Sequence, residues 1–144
     1  MANPFITSTS DDTTTIVSSE LPLFIEYAFD FKTDRFIKDD NGQHVIVTGN
    51  EALKVWIYKT LKTERWRYVA YHSAYGIELE KYIGQPNIKA TADAMKADII
   101  EGLLINPYII SIDKIETTKQ ENDLVELTIT LTTVYSNLTA TFIV

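Results

Sequence analysis

The side chains best suited to chemistry crowd into one stretch, "LKTERWRYVAYHSAYGIELEKYIGQP", residues 61–86. It holds Glu64, Arg65, Arg67, His72, Glu78 and Glu80 among several aromatic rings. Glycoside hydrolysis needs two carboxyl groups at a set separation, one kept protonated by an apolar pocket. Glu64, Glu78 and Glu80 are the candidates, with Asp98 and Glu101 more distant, and nothing in their spacing selects a pair. Glu78 and Glu80 would share one face of a strand, or equally the solvated side of a short helix. Metal chemistry has less to work with: His44 and His72 stand apart, with no HxxxH or HxH spacing. There is no cysteine, which excludes disulfide scaffolds, thiolate metal sites and cysteine nucleophiles. No G-x-S-x-G elbow, P-loop or dinucleotide glycine pattern occurs, so no cofactor and no metal is expected.

The same stretch offers binding chemistry. If residues 64–68 are extended, Arg65 and Arg67 project together to one side, alternating with Trp66 and Tyr68. Arginine pairs with carboxylates through a planar fork, and arginine and aromatic rings are enriched where interfaces hold tightest. Trp66, Tyr68, Tyr71 and Tyr75 have core packing as their commoner fate. The expectation is a mixture, with some rings inward and Glu64 and the arginines outward. Lys59, Lys62, Arg65 and Arg67 form a basic patch, which reads either as a binding feature or as the solvated end of a helix, where cations suit the dipole.

These residues need a scaffold, and 144 residues suffice for one domain with a single core. The net charge of −7 argues against non-specific nucleic-acid binding. No apolar run is long enough to span a bilayer, and the polar start lacks a signal-peptide h-region, so neither nucleic acid nor membrane is an expected partner. Residues 1–20, rich in Ser, Thr and Asp, read as an arm that is flexible or extended along a partner; residues 21–144 read as one α+β domain.

Within it, "LFIEYAFDF" predicts a strand with Tyr27, Phe29 and Phe31 on one face. Asn41-Gly42 predicts a hairpin turn between "RFI" and "HVIV". Thr48 and Glu51 form the pattern of a capping box ahead of a helix over 49–62, with Leu53, Trp56, Ile57 and Leu61 as its apolar stripe. Thr91 is the expected cap of a second helix, striped by Met95, Ile99 and Leu103 and stopped by Asn106-Pro107. "YIISIDKIE" and "DLVELTITLTTVY" predict two strands around a polar turn at 119–122, the second with Val125, Leu127, Ile129 and Leu131 inward. The order implies two main helices packed on a mixed or antiparallel sheet. The last residues, Thr139, Ala140, Thr141, Phe142, Ile143 and Val144, form an uncharged β-prone end. It reads either as an ordinary last strand or as a strand offered to a neighbour's sheet.

Several ungapped blocks, "YAFDFKTDRFI", "DDNGQHVIVTGNEALKVWIYKTLKTERWRY", "YGIELEKYIGQP", "NPYIISID" and "TTVYS", resemble the XkdS-like baseplate proteins of contractile phage tails and tail-like particles, over about residues 22–136. That family is similar in turn to the baseplate wedge protein once labelled a tail lysozyme. The resemblance implies a structural part, the sheath initiator, with a handshake-type fold in which neighbours' arms add strands to one sheet. It implies sheath protein, wedge proteins and tube or hub proteins as partners, six copies around the tail, and a place in a baseplate assembled in the bacterial cytoplasm. It also implies wedge docking by a Glu-Pro-Arg type motif, here carried by Glu64, Arg65 and Arg67 in "TERWR" without the proline, and sheath strand exchange at Thr139–Val144. Two other readings stand beside it: a peptidoglycan-cleaving enzyme using Glu64 with Glu78 or Glu80, and an assembly chaperone absent from the finished particle.

Overall fold

The structure, a computed structural model, describes residues 21–86, 89–119 and 124–144. The expected arm at 1–20 lies outside them, as does most of the polar turn at 119–122. The described chain is α+β, with two helices and antiparallel sheets. Strand β1 (Ile25–Tyr27) pairs with β4 (Ile46–Thr48), and β2 (Phe29–Asp30) with β3 (Arg35–Phe36). Ala28 is the joint between the two ribbons: its N–H donates to Val45 O at 2.8 Å, and its carbonyl accepts from Ile37 N–H at 2.9 Å.

The change of direction at Ala28 breaks the expected alternation. Phe29 and Phe31 pack against the core, whereas Tyr27 is 51% exposed. Ile25 and Ile46 are exposed beside it, and Glu26 points inward to Lys59 at 2.8 Å, so the β1–β4 ribbon turns an apolar face to solvent. The Asn41-Gly42 turn also differs from expectation. Only Gly42 has positive φ (77°), and the Asp39 carboxylate organises a longer loop by accepting from the N–H groups of Asn41 and Gln43, each at 2.9 Å.

Helix α1 (Gly49–Lys62) has the expected bounds, but its capping box does not form. Thr48 is extended with no side-chain cap bond, and Glu51 instead pairs with Lys54 at 2.7 Å. Asn50 and the turn after the sixth strand anchor this end of the helix: Thr133 Oγ1 donates to Asn50 Oδ1 at 2.6 Å, and Asn50 Nδ2 donates to Ser136 Oγ at 2.7 Å. Helix α2 (Lys89–Leu104) starts earlier than a Thr91 cap would place it, and Thr91 lies inside the first turn.

The last three strands, β5 (Ile109–Lys119), β6 (Val125–Thr133) and β7 (Asn137–Ile143), form an antiparallel meander in that order. Strand β6 alternates as predicted, with Leu127, Ile129 and Leu131 fully buried. They meet Leu53, Ile57, Tyr58 and Leu61 of α1, Ile99 and Leu103 of α2, and Leu138, Ala140 and Phe142 of β7 in one core. Fully burying each large aliphatic side chain contributes about 1.5–3 kcal/mol, so this cluster outweighs any polar contact in the molecule. On the opposite face, Thr128 and Thr141 hydroxyls meet at 3.0 Å, and those of Thr130 and Thr139 at 3.3 Å.

Candidate functional site

Helix α1 ends at Lys62, and the next fourteen residues form a loop with a closed neck. Ile77 N–H donates to Thr63 O at 3.0 Å. Gly76 sits there with φ 90°, and a Cβ on it would lie 2.6 Å from Thr63 O, so glycine is needed for both conformation and space. Arg65 is the bolt across the neck. Its Nε donates to Gly76 O at 3.0 Å and its terminal nitrogen to Glu101 Oε1 of α2 at 3.3 Å. The Arg65 side chain is only 15% exposed, against 70% for Glu101.

Beyond the neck the chain is not extended. Three turns follow one another, closed by N–H to carbonyl bonds from Arg67 to Glu64, Tyr71 to Tyr68 and Tyr75 to His72. Trp66 has φ 71°, left-handed backbone that is rare for a bulky residue. This reverses the expected arrangement: Arg65 turns inward, while Trp66 (69% exposed), Tyr68, Val69 and Tyr71 turn outward. Arg67 stays half-exposed, paired with the Glu80 carboxylate. Glu64 Oε2 accepts the Glu80 N–H at 3.3 Å, at the start of the 3-10 turn Glu80–Tyr82. Tertiary partners that the local sequence does not reveal, Gly76 and Glu101 for Arg65 and Glu80 for Glu64 and Arg67, point these neighbours in different directions.

Thr63, Glu64, Trp66, Tyr68, Val69, Tyr71, His72, Ser73 and Tyr75 line a cleft of about 150 Å³ in this loop. His72 Nδ1 accepts the Ala74 N–H at 3.2 Å, which places its ring proton on Nε2 when neutral. Of the candidate hydrolytic carboxylates only Glu64 lines the cleft, so no pair converges there. Glu78 lies 3.8 Å from Lys81, and Glu80 belongs to Arg67, both roughly half-exposed to water. Asp98 accepts from Lys81 at 2.7 Å and from the Tyr82 hydroxyl; burial opposes its charge, and these two donors outweigh burial and hold its pKa below the ordinary value. Among the described residues no group of His, Asp and Glu is arranged to hold a metal ion, and no helix is long and apolar enough to cross a membrane.

The second candidate, residues 139–144, is the end of the meander. Val125 and Val144 exchange both N–H···O bonds at 2.9 Å, which fixes the phase of the ladder. Leu138, Ala140, Phe142 and Val144 therefore bond inward to β6, and the N–H and C=O groups of Asn137, Thr139, Thr141 and Ile143 face the outer edge. The strand is thus an integral member of its own sheet, with Phe142 fully buried against Phe31 and Tyr58. The two edges of the sheet differ. Register shifts break β5 between Ile109 and Ser111 and between Ile112 and Lys114, whereas the β6–β7 register runs without a break.

No curated protein matches the chain. The family model for the contractile injection system sheath initiator matches residues 25–136, from β1 through the turn that follows β6. With that span inside it, the chain belongs to the contractile injection system sheath initiators, a family of structural components.

Proposed function

We propose that this protein joins the baseplate wedge to the sheath of a contractile tail or tail-like particle and nucleates sheath assembly by strand addition at the outer edge of β7. Residues 21–144 act as one unit, and residues 1–20 as an arm toward neighbouring subunits. The 64–75 loop docks on wedge proteins, with tube or hub proteins alongside and six copies around the tail, assembled in the bacterial cytoplasm.

The observation that carries this reading is the asymmetry of the three-stranded sheet. Bulges blunt an edge, and β5 has two; β7 is regular and uncharged, with four residues presenting outward backbone groups. An added strand gains affinity from those groups and register from the alternating side chains. Removing residues 139–144 would not test this, because it also strips Ala140 and Phe142 from the core. Thr141→Pro does test it. The lost N–H faces outward, so the internal ladder survives while an incoming strand loses a donor and meets the ring. Folded Thr141→Pro protein should enter baseplates, and electron microscopy should show them bare of sheath. Full-length sheaths on such baseplates would sink strand addition at β7.

A further inference from the structure

We infer that the aromatic cleft of the 64–75 loop is a receptor for one arginine side chain of a partner protein. The inference rests on reading this loop as a docking surface and names what it grips. Four rings, Trp66, Tyr68, Tyr71 and Tyr75, line the cleft together with Glu64, and the rings of Tyr71 and Tyr75 lie 4.9 Å apart. Rings attract cations through their faces, and guanidinium does so best because it stacks on a ring while its edge forks to a carboxylate.

The carboxylate is only partly committed. Glu64 accepts one hydrogen bond, from the Glu80 N–H to Oε2, and its charge also reaches Arg67, whose guanidinium is bonded to Glu80 rather than to Glu64. Among the described residues no lysine or arginine lines the cleft either: the lysines that lie over rings sit on Phe36, Tyr58 and Tyr82. Arg67 and Arg65, the nearest cations in sequence, are engaged by Glu80 and Glu101. The volume of about 150 Å³ suits one side-chain head group rather than a folded segment. The left-handed Trp66 is a second sign of purpose, since strained backbone at a bulky residue persists where it places a side chain for function. A net charge of −7 draws a basic partner toward it.

The test uses the full chain and N-acetylarginine amide, followed by NMR on the Trp66 indole N–H. The expected result is a saturable shift. N-acetylcitrulline amide, of the same shape without the charge, should bind roughly three- to tenfold more weakly, and Glu64→Gln should weaken the arginine probe by a similar factor without changing the dispersion of the spectrum. Equal response to both probes, an unchanged response in Glu64→Gln, or no saturable shift overturns the inference. Docking itself is read separately, from whether a Trp66→Ala, Tyr71→Ala variant enters particles, so the two readings fail independently.

Discussion

Arg65 shows how much a single side chain's partners decide its role. The local sequence shows an arginine among rings in a run rich in charge, and it reads naturally as an exposed docking group. Its partners, Gly76 and Glu101, are 11 and 36 residues away, and only the folded chain brings them together. Arg65 therefore positions the loop that Glu64 and the rings present. Arg65→Ala strands the Gly76 carbonyl at the neck but leaves Glu101 in water, so the cost is that of lost hydrogen bonds rather than of an orphaned buried charge. The expected loss is about 1–3 kcal/mol in urea denaturation, with Arg65→Lys recovering part of it. A loss below about 0.5 kcal/mol, the range of neutral surface changes, would put Arg65 back among the exposed residues.

Elements with a strong period were legible, and those set by distant contacts were not. Helix α1 and strand β6 declared themselves because their apolar spacing matches the face they bury. The 64–75 loop did not, because alternating arginine and aromatic residues imitate a strand while a closed neck forces turns. The ribbon at β1 was misread for a similar reason, since nothing local reveals the change of direction at Ala28. Helix α2 was placed by its stripe, yet its closest contact was hidden: a Cβ on Gly102 would lie 2.6 Å from Cγ1 and 3.0 Å from Cδ1 of Ile77, a buried side chain. In an open helix Gly→Ala would stabilise by about 1 kcal/mol. Here overpacking reverses the sign, and Gly102→Ala should destabilise by about 1–3 kcal/mol. The urea midpoint measures this, and a rise in the midpoint would mean that α2 does not seat on Ile77.

At the scale of the molecule, Tyr58 is where the parts meet. From α1 its ring touches Phe29 and Phe31 of the first hairpin and Phe142 of β7, and its hydroxyl donates to Asp34 at 2.8 Å. Burial first, then the Asp34 hydrogen bond and charge, push its pKa from 10.0 up to about 12. A raised pKa in an acid means stability fully present below pH 10 and lost as pH climbs through 12. Tyr58→Phe should cost about 1 kcal/mol at neutral pH through the lost hydrogen bond, but its stability should fall less over that alkaline range, by an amount on the order of 2–3 kcal/mol. Parallel pH profiles of the two proteins in urea would show that Tyr58 does not link ionisation to folding. Family membership was legible as well, because the blocks that carried the resemblance span the elements now seen to share one core. Strand β7 lies beyond the matched span and rests on its own geometry.

The unequal edges of the three-stranded sheet also set its valence. A sheet regular on both sides can accept a strand at each edge, and copies can then stack without limit, which is the route to fibres. With β5 broken twice near its start and charged at Lys114 and Glu116 beyond the breaks, a strand added at β7, as proposed, leaves only a less inviting second edge. If strands add at β7 as proposed, two copies meeting there would close on themselves, and a subunit that has accepted one strand has used its uncharged, unbroken edge. On the proposed reading each copy would favour a stoichiometry of one, the number a starting point needs if it is to begin a larger assembly without becoming one.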